Sequence, residues 1–392
     1  MRILYLTCHF FPDFDAGSFR NTSLVKTLLD HLDDNDCVDV MTTFPHRYGI
    51  NNNIKSDFEN KKNINIYRTR VPSHKNKYIR QISAFIYYCC FVLKKVNNSD
   101  YDLVFASSSK LMTAFLGSCI ARKIRKPLYL DIRDIFYENI SIVLHKNVFF
   151  MMPFIKIVEK ITFNYADHIN LISEGFIPYF EKFKCKSYSY FTHGIDDDFL
   201  NLKPSRCNGT NGNYKIIYAG NIGEGQGLEK IIPPAAELLG NDYTFLIIGD
   251  GGTKEKLLQE VKKRNLQNVK IKDPVDRNEL KSFYDEADFL FVHLNNFTAF
   301  KKVLPSKIFE LVAYDKPIIA GVTGFSYQFI EKHVPNVILF ESCDVNDMIK
   351  KIKQCRYKNE YRTQFIEKFK RKNINNQMVR SMVEIASGIN LS

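Results

Sequence analysis

Two runs of alternating strand-like and helix-like segments, separated by one short polar stretch, constrain this chain more than any single motif. In the first half, β-branched and aromatic segments fall at 3–7, 38–42, 64–70, 103–106, 128–131, 168–172 and 187–191. Amphipathic helical patterns lie between most of them, for example at 23–32, 111–122 and 153–165. Nearly continuous apolar strands alternating with helices specify a parallel sheet covered on both faces. Residues 201–213 (NLKPSRCNGTNGN) break the pattern and read as a linker. The alternation then restarts, with strands at 215–219, 243–248, 269–271, 289–293, 317–320 and 337–340 and helices at 228–238, 253–263 and 306–313. The expectation is an α/β chain of two tandem doubly wound, Rossmann-like domains, residues 1–200 and 201–371. A chain of 392 residues is also longer than one hydrophobic core usually serves. Met378, Val379, Met382, Val383 and Ile385 form an apolar face at helical spacing, which predicts that 372–392 returns to the N-terminal domain. Ligands of such sheets bind beyond the carboxyl ends of the strands, so the expected site is a cleft between two facing domains.

Charge and cysteines narrow the class. Nine cysteines occur without a CxxC pair, which indicates neither a disulfide framework nor a zinc site. The start, MRILYLT, runs straight into a strand rather than a signal peptide, and a cytoplasmic location is expected. No run reaches the ~18–20 apolar residues of a spanning helix. Residues 79–96 and 148–163 come closer, mixing aromatics with Lys and Arg. They read as core-facing helices or as a surface resting peripherally on an anionic membrane. The formal net charge of +12 suits anionic substrates such as diphosphates. No clustered basic and aromatic module of the nucleic-acid-binding kinds is present, so nucleic acid is not an expected partner.

Three loops could hold phosphate. Gly17 and Ser18 lie between the first strand and a helical pattern, where backbone amides can approach an anion. Gly220, Asn221, Gly223 and Gly227 belong to a loop with four glycines in eight positions, more than a turn requires. The next strand ends at Gly249, in GDGG, and opens another helix. The acidic residue a dinucleotide fingerprint needs has no clear counterpart, since Asp273 stands beside Pro274, and a dehydrogenase is not expected. The segment FKKVLPSKIFELVAYDK, residues 300–316, is the most informative. Pro305 and Ser306 can open a helix, and Lys307 in its first turn makes sense if an anion binds there. Glu310 lies three residues on, on the same side of the helix.

These segments together resemble family 4 of the retaining glycosyltransferases, which have the two-domain GT-B fold. The likeness is to the branch that builds bacterial O-antigen and capsule repeat units, including N-acetyl-L-fucosamine transferases. It runs through MRILYLT with FP and GSxxR, VDVMTTFPHRYG, DIRDIF and HGIDDDF in the first half. In the second half it runs through YAGNIGEGQGLE, FLIIGDGG, ADFLFV and LPSKIFELVAYDKPIIA. The resemblance implies a hexosyl- or N-acetylhexosaminyltransferase of cell-surface polysaccharide synthesis, acting with retention. Its donor would be a nucleotide sugar, UDP-linked as in most of this branch, and its acceptor a glycan or lipid-diphosphate-linked glycan. No metal or other cofactor is expected. By the same resemblance Glu310 would receive the ribose hydroxyls, and Leu304, Pro305, Ser306 and Lys307 would face the donor phosphates and sugar. Gly220, Gly223 and Gly227 would approach the diphosphate from the other side, and Gly17 and Ser18 would close over the donor. Asp131, Arg133 and Asp134 sit where the family places acceptor-side and catalytic groups, with Lys307 as a catalytic charge. Two departures matter. The first carboxylate of the family's Glu-x7-Glu motif is replaced by Lys302, and Asn221 and Gln226 stand where many relatives carry Arg and Lys.

Other readings are weaker. Asp196, Asp197 and Asp198 look like a metal-binding DxD but suit capping and turn chemistry better. His9, His168, His193 and His293 have no ligand spacing and read as core or cleft histidines. The competing functions are a non-catalytic GT-B-shaped partner subunit, favoured by the lost Lys and Glu, and a nucleotide-sugar epimerase.

Overall fold

Val-, Ile- and Tyr-rich segments pair in register as buried parallel strands, and the helices between them close both faces of each sheet. The computed structural model describes residues 1–13, 15–45, 56–72, 78–96, 100–108, 110–138, 152–200 and 213–388. It divides into two units, Met1–His193 with Lys372–Ser392, and Gly194–Arg371. Most of the linker reading, residues 201–212, and residues 148–151 lie outside the described residues.

The strands of the first unit are β1 (Arg2–Leu6), β2 (Cys37–Thr43), β3 (Phe58–Lys61), β4 (Ile64–Thr69), β5 (Leu103–Ser108), β6 (Leu128–Ile132), β7 (His168–Leu171) and β8 (Ser187–Ser189). They are ordered β3-β4-β2-β1-β5-β6-β7-β8, all parallel except β3, which runs antiparallel to β4 at the edge. The order reverses between β1 and β5. Its longer helices before residue 193 are α1 (Ala16–Leu29), α2 (Tyr78–Val96), α3 (Leu111–Ile124) and α4 (Met152–Tyr165). Right-handed crossovers place α2, α3 and α4 in one layer opposite α1, and α3 touches both α2 and α4.

The second unit has six strands, β9 (Tyr214–Ala219), β10 (Tyr243–Ile248), β11 (Val269–Lys272), β12 (Phe289–His293), β13 (Ile318–Gly321) and β14 (Val337–Phe340). Their order is β11-β10-β9-β12-β13-β14, entirely parallel, with the reversal between β9 and β12. Seven helices surround them: α5 (Leu228–Leu239), α6 (Lys254–Lys263), α7 (Arg277–Glu286), α8 (Lys307–Leu311), α9 (Phe325–His333), α10 (Val345–Gln354) and α11 (Thr363–Lys368). Asp276 caps α7 through the amides of Asn278 and Glu279, and Asp344 caps α10 through Asp347. Ile216, Ile247, Phe291 and Ile319 from the sheet bury against Leu228, Ile231 and Met348.

The division falls after His193 rather than at residue 200, and hydrogen bonding gives the reason. The Ile195 amide donates to the Phe369 carbonyl at 2.8 Å, and the Arg371 amide to the Ile195 carbonyl at 2.9 Å. Asp196 accepts from both Arg277 and Arg371, and Asp198 pairs with Arg277 at 3.2 Å. The acidic run is thus turn and ion-pair chemistry tied to the second unit. The last helix, α12 (Arg371–Ala386), buries Met378, Val379 and Met382 in the same core as Ile3, Tyr5 and Leu24 of the first unit. Among the described residues no helix is long and apolar enough to cross a membrane.

Candidate functional site

In a doubly wound sheet the loops on either side of the order reversal splay apart and leave a crevice at the carboxyl strand ends. In the second unit those loops are 220–227, after β9, and 294–306, after β12. Hydrogen bonds join them. The Asn295 amide donates to the Gly225 carbonyl and its side-chain Nδ2 to the Glu224 carbonyl, each at 2.8 Å. His293 Nδ1 donates to the Gln226 carbonyl at 2.5 Å, and Nε2 accepts from the Cys343 amide at 3.0 Å. Burial pushes this imidazole down to about 4, so it stays neutral, and its two partners fix one tautomer. Lys230, on the first turn of α5, reaches the Asn295 side chain at 3.2 Å and lies over the Phe297 ring.

Gly227 adopts a left-handed conformation (φ 59°) at the head of α5, and a Cβ there would press on Asn295. A Cβ at Gly225 would lie 3.0 Å from the Phe300 ring. Asn221 and Gln226 hydrogen-bond each other across the loop, Nδ2 to Oε1 at 2.7 Å, and the Gln226 oxygen also accepts from the Gly223 amide. They therefore hold the loop's shape with neutral groups. Gly249, expected at the donor, packs closely against the loop after β9. A Cβ at this position would overlap the Gly220 carbonyl, so this glycine lets the loops after β9 and β10 touch each other.

The segment after β12 continues through a turn at Thr298–Lys302 into the short helix α8. Leu304 and Pro305 are buried, while Ser306, Lys307 and Glu310 are partly exposed. Ser306 stands at the N-cap of α8, where the sequence placed the helix start, and its side chain makes no cap bond. Lys307 Nζ bonds both Glu310 oxygens, at 3.0 and 3.1 Å. The wholly buried Tyr284 phenol faces the same carboxylate. Burial first, then the Glu310 charge, hold it well above its ordinary value. The result is a fixed carboxylate beside an ammonium group, a pair suited to hydroxyls and phosphate oxygens respectively.

The first unit has its own reversal at β1 and β5. Asp15 caps α1 by accepting the Ser18 amide at 2.9 Å, and its other oxygen bonds His9 Nδ1 at 2.7 Å. Burial would raise the Asp15 carboxyl, but His9, the Ser18 amide and Arg133 hold it below its usual range. The His9 ring is lowered, by burial and by Arg133 and Lys110, against the pull of Asp15. One ligand atom from each of His9, Asp13 and Asp15 lies within 4.8 Å of the others, a spacing that could hold a cation. A Cβ at Gly17 would overlap the Arg133 guanidinium, so the glycine makes room for that charge at the start of α1. Asp134 follows Arg133 and is partly exposed.

Asp131 is corrected. Its carboxylate is wholly buried, and Arg20, Asn170 and Ser107 occupy both oxygens. A group so enclosed positions neighbours rather than touching a substrate. The His9–Asp15 pair and the His293–Asn295–Lys230 bridge escaped sequence reasoning. A capping aspartate three residues ahead of Ser18 was the one signal available for the former.

Residues 206–372 match the family model described as glycosyl transferases group 1. Over 98 residues the chain is 35% identical to the Escherichia coli (strain K12) protein WcaI, named as a colanic acid biosynthesis glycosyl transferase. That stretch is 25% of this chain and 24% of WcaI, so the chain matches about a quarter of the curated relative's length. Solved structures match over nearly all of it. Sucrose-phosphate synthase from Thermosynechococcus elongatus superposes with a TM-score of 0.66 at 13% identity, covering 99% of this chain and 97% of the other. Anabaena HepE in complex with UDP-glucose gives 0.62 at 14% identity, covering 99% and 98%. The lipopolysaccharide outer core galactosyltransferase WaaB gives 0.61 at 13%, covering 97% and 99%. The architecture shared with these structures is GT-B.

Proposed function

We propose that this chain, whose residues 206–372 carry the group 1 glycosyl transferase match, is a glycosyltransferase that takes a sugar from a UDP-linked donor. The acceptor is a glycan or a lipid-diphosphate-linked glycan of cell-surface polysaccharide, and the anomeric configuration is retained. The observation that carries this reading is the crevice of the second unit, where a glycine-rich loop and the 294–310 segment meet at the strand-order reversal. The amides of Gly220, Ile222, Gly223, Gln226 and Gly227 are bonded within the unit, so the diphosphate would take those at the loop's tip, Glu224 and Gly225; Lys307 supplies charge, and Glu310 receives the ribose hydroxyls. Related proteins bind or act in the same terms: HepE is solved with UDP-glucose, and WcaI and WaaB are named for colanic acid and lipopolysaccharide synthesis. In the first unit, Gly17 and Ser18 would close over the donor, and Arg133 and Asp134 would serve the acceptor side.

The deciding experiment is a panel of nucleotide sugars, read by calorimetry for binding and by nucleotide release with a lipid-diphosphate glycan for transfer. One UDP-sugar should bind and turn over. Binding without release for any acceptor would favour a non-catalytic partner subunit. Interconversion of the donor itself would favour an epimerase.

Turnover should continue in a chelator. Lys301, Lys302 and Lys307 line the segment that would face the leaving diphosphate, and positioned cations can stabilise it without a metal. Activity abolished by chelation and restored by magnesium or manganese would overturn this.

A further inference from the structure

The layer formed by α2, α3 and α4 has an outer face unlike that of an ordinary surface helix layer. Ala84, Tyr88 and Val92 turn α2 toward the sheet, which leaves Ile82, Ile86 and Tyr87 pointing outward at 53%, 54% and 59% exposure. On α4, Ile155 and Val158 turn inward and Phe154 and Ile157 stand outward at 58% and 55%, with Ile161 beyond them. Scattered exposed apolar side chains are normal, but their concentration on two helices of one layer marks a docking surface. The charges on this layer have one sign. Lys94 and Lys95 end α2, Arg122 and Lys123 end α3, and Lys156 and Lys160 alternate with the apolar residues of α4, all six exposed. Glu159 is the one carboxylate in these three helices, and it is buried beneath them.

We infer that this face of the first unit seats on an anionic lipid bilayer. Apolar and aromatic side chains flanked by lysines, with no exposed acid, match an interface where tails lie below and phosphates surround them. A second copy of the same face would bring six cations against six and is disfavoured by repulsion. The inference goes beyond the transfer reaction and would stand whichever sugar is moved.

The test uses the full chain and vesicles of phosphatidylcholine with or without phosphatidylglycerol. The protein should co-sediment with the anionic vesicles at low salt and leave them as salt rises. Lys94→Glu with Lys95→Glu should weaken this binding at least about 30-fold, since each cation near such a surface contributes a factor of about five. Ile86→Glu with Phe154→Glu should abolish it. Both pairs are exposed, so the unfolding midpoint and transfer to a soluble acceptor should not change, which separates failure of this inference from failure of the assigned activity. Absence of binding at low salt would overturn the inference, as would equal binding by the variants. A parent that is dimeric by light scattering and becomes monomeric in Ile86→Glu/Phe154→Glu would give the face to a second copy instead.

Discussion

Asp131→Ala is expected to lower the unfolding free energy of the first unit by about 3–5 kcal/mol, the usual result of removing one partner from a buried ion pair. Arg20 is 1% exposed and donates to Asp131 twice, Nε to Oδ2 at 3.0 Å and an Nη to Oδ1 at 2.9 Å. Its remaining donors reach the carbonyls of Phe191 and Thr192, which cannot neutralise the guanidinium once the carboxylate is gone. Asn170 would also lose its acceptor at 2.8 Å. The pH dependence follows with a definite sign. Burial would raise the Asp131 carboxyl, but Arg20, supported by Asn170 and Arg133, holds it below its ordinary value. A depressed folded pKa contributes stability that is present above about pH 4 and lost as pH falls through the folded value. Urea unfolding curves should therefore converge between parent and variant as the solution is acidified. A catalytic Asp131 would behave differently: turnover would vanish while the unfolding curve stayed in place, and that outcome would restore the role the sequence suggested.

That contrast shows where sequence reasoning ran out. The role expected of Asp131 came from the family resemblance alone, which places acceptor-side and catalytic groups at this strand end. Arg20 closes on the carboxylate from 111 positions away, and no local pattern announces such a pair. Strands in the sheet centres were legible because both faces are buried and their residues read as unbroken apolar runs. The edge strand β3, FENK, was not, since three of its four residues are exposed and only pairing with β4 makes it a strand. In the second unit the i, i+3 spacing placed Lys307 and Glu310 on one side of a helix. Treating each charge alone then assigned Lys307 to an anion and missed its bond to Glu310. Asn221 and Gln226 were legible as replacements for charged residues, but their hydrogen bond to each other needed the folded loop.

The pairing of Lys307 with Glu310 sharpens the central test of the proposed donor site. Glu310→Gln should weaken nucleotide binding by roughly 10- to 100-fold, because hydrogen bonds to a charged acceptor contribute about 1.5–3 kcal/mol. A carboxylate can accept from two ribose hydroxyls at once, whereas an amide offers one oxygen and turns a donor toward the other hydroxyl. The variant should fold normally. The two side chains are 25% and 21% exposed, and a partly solvated pair of this kind contributes at most about 1 kcal/mol. Loss of the carboxylate also releases the Lys307 ammonium from its two bonds, 3.0 and 3.1 Å long, toward any phosphate beside it. The loss should therefore be larger for uridine than for UDP. Lys307→Ala should do the reverse, sparing uridine and weakening UDP, because its partner is the diphosphate. Calorimetry of both variants with both ligands gives four numbers that only this assignment orders in that way. If Glu310→Gln binds UDP and uridine as tightly as the parent, the ribose is held elsewhere and the donor site must be reassigned.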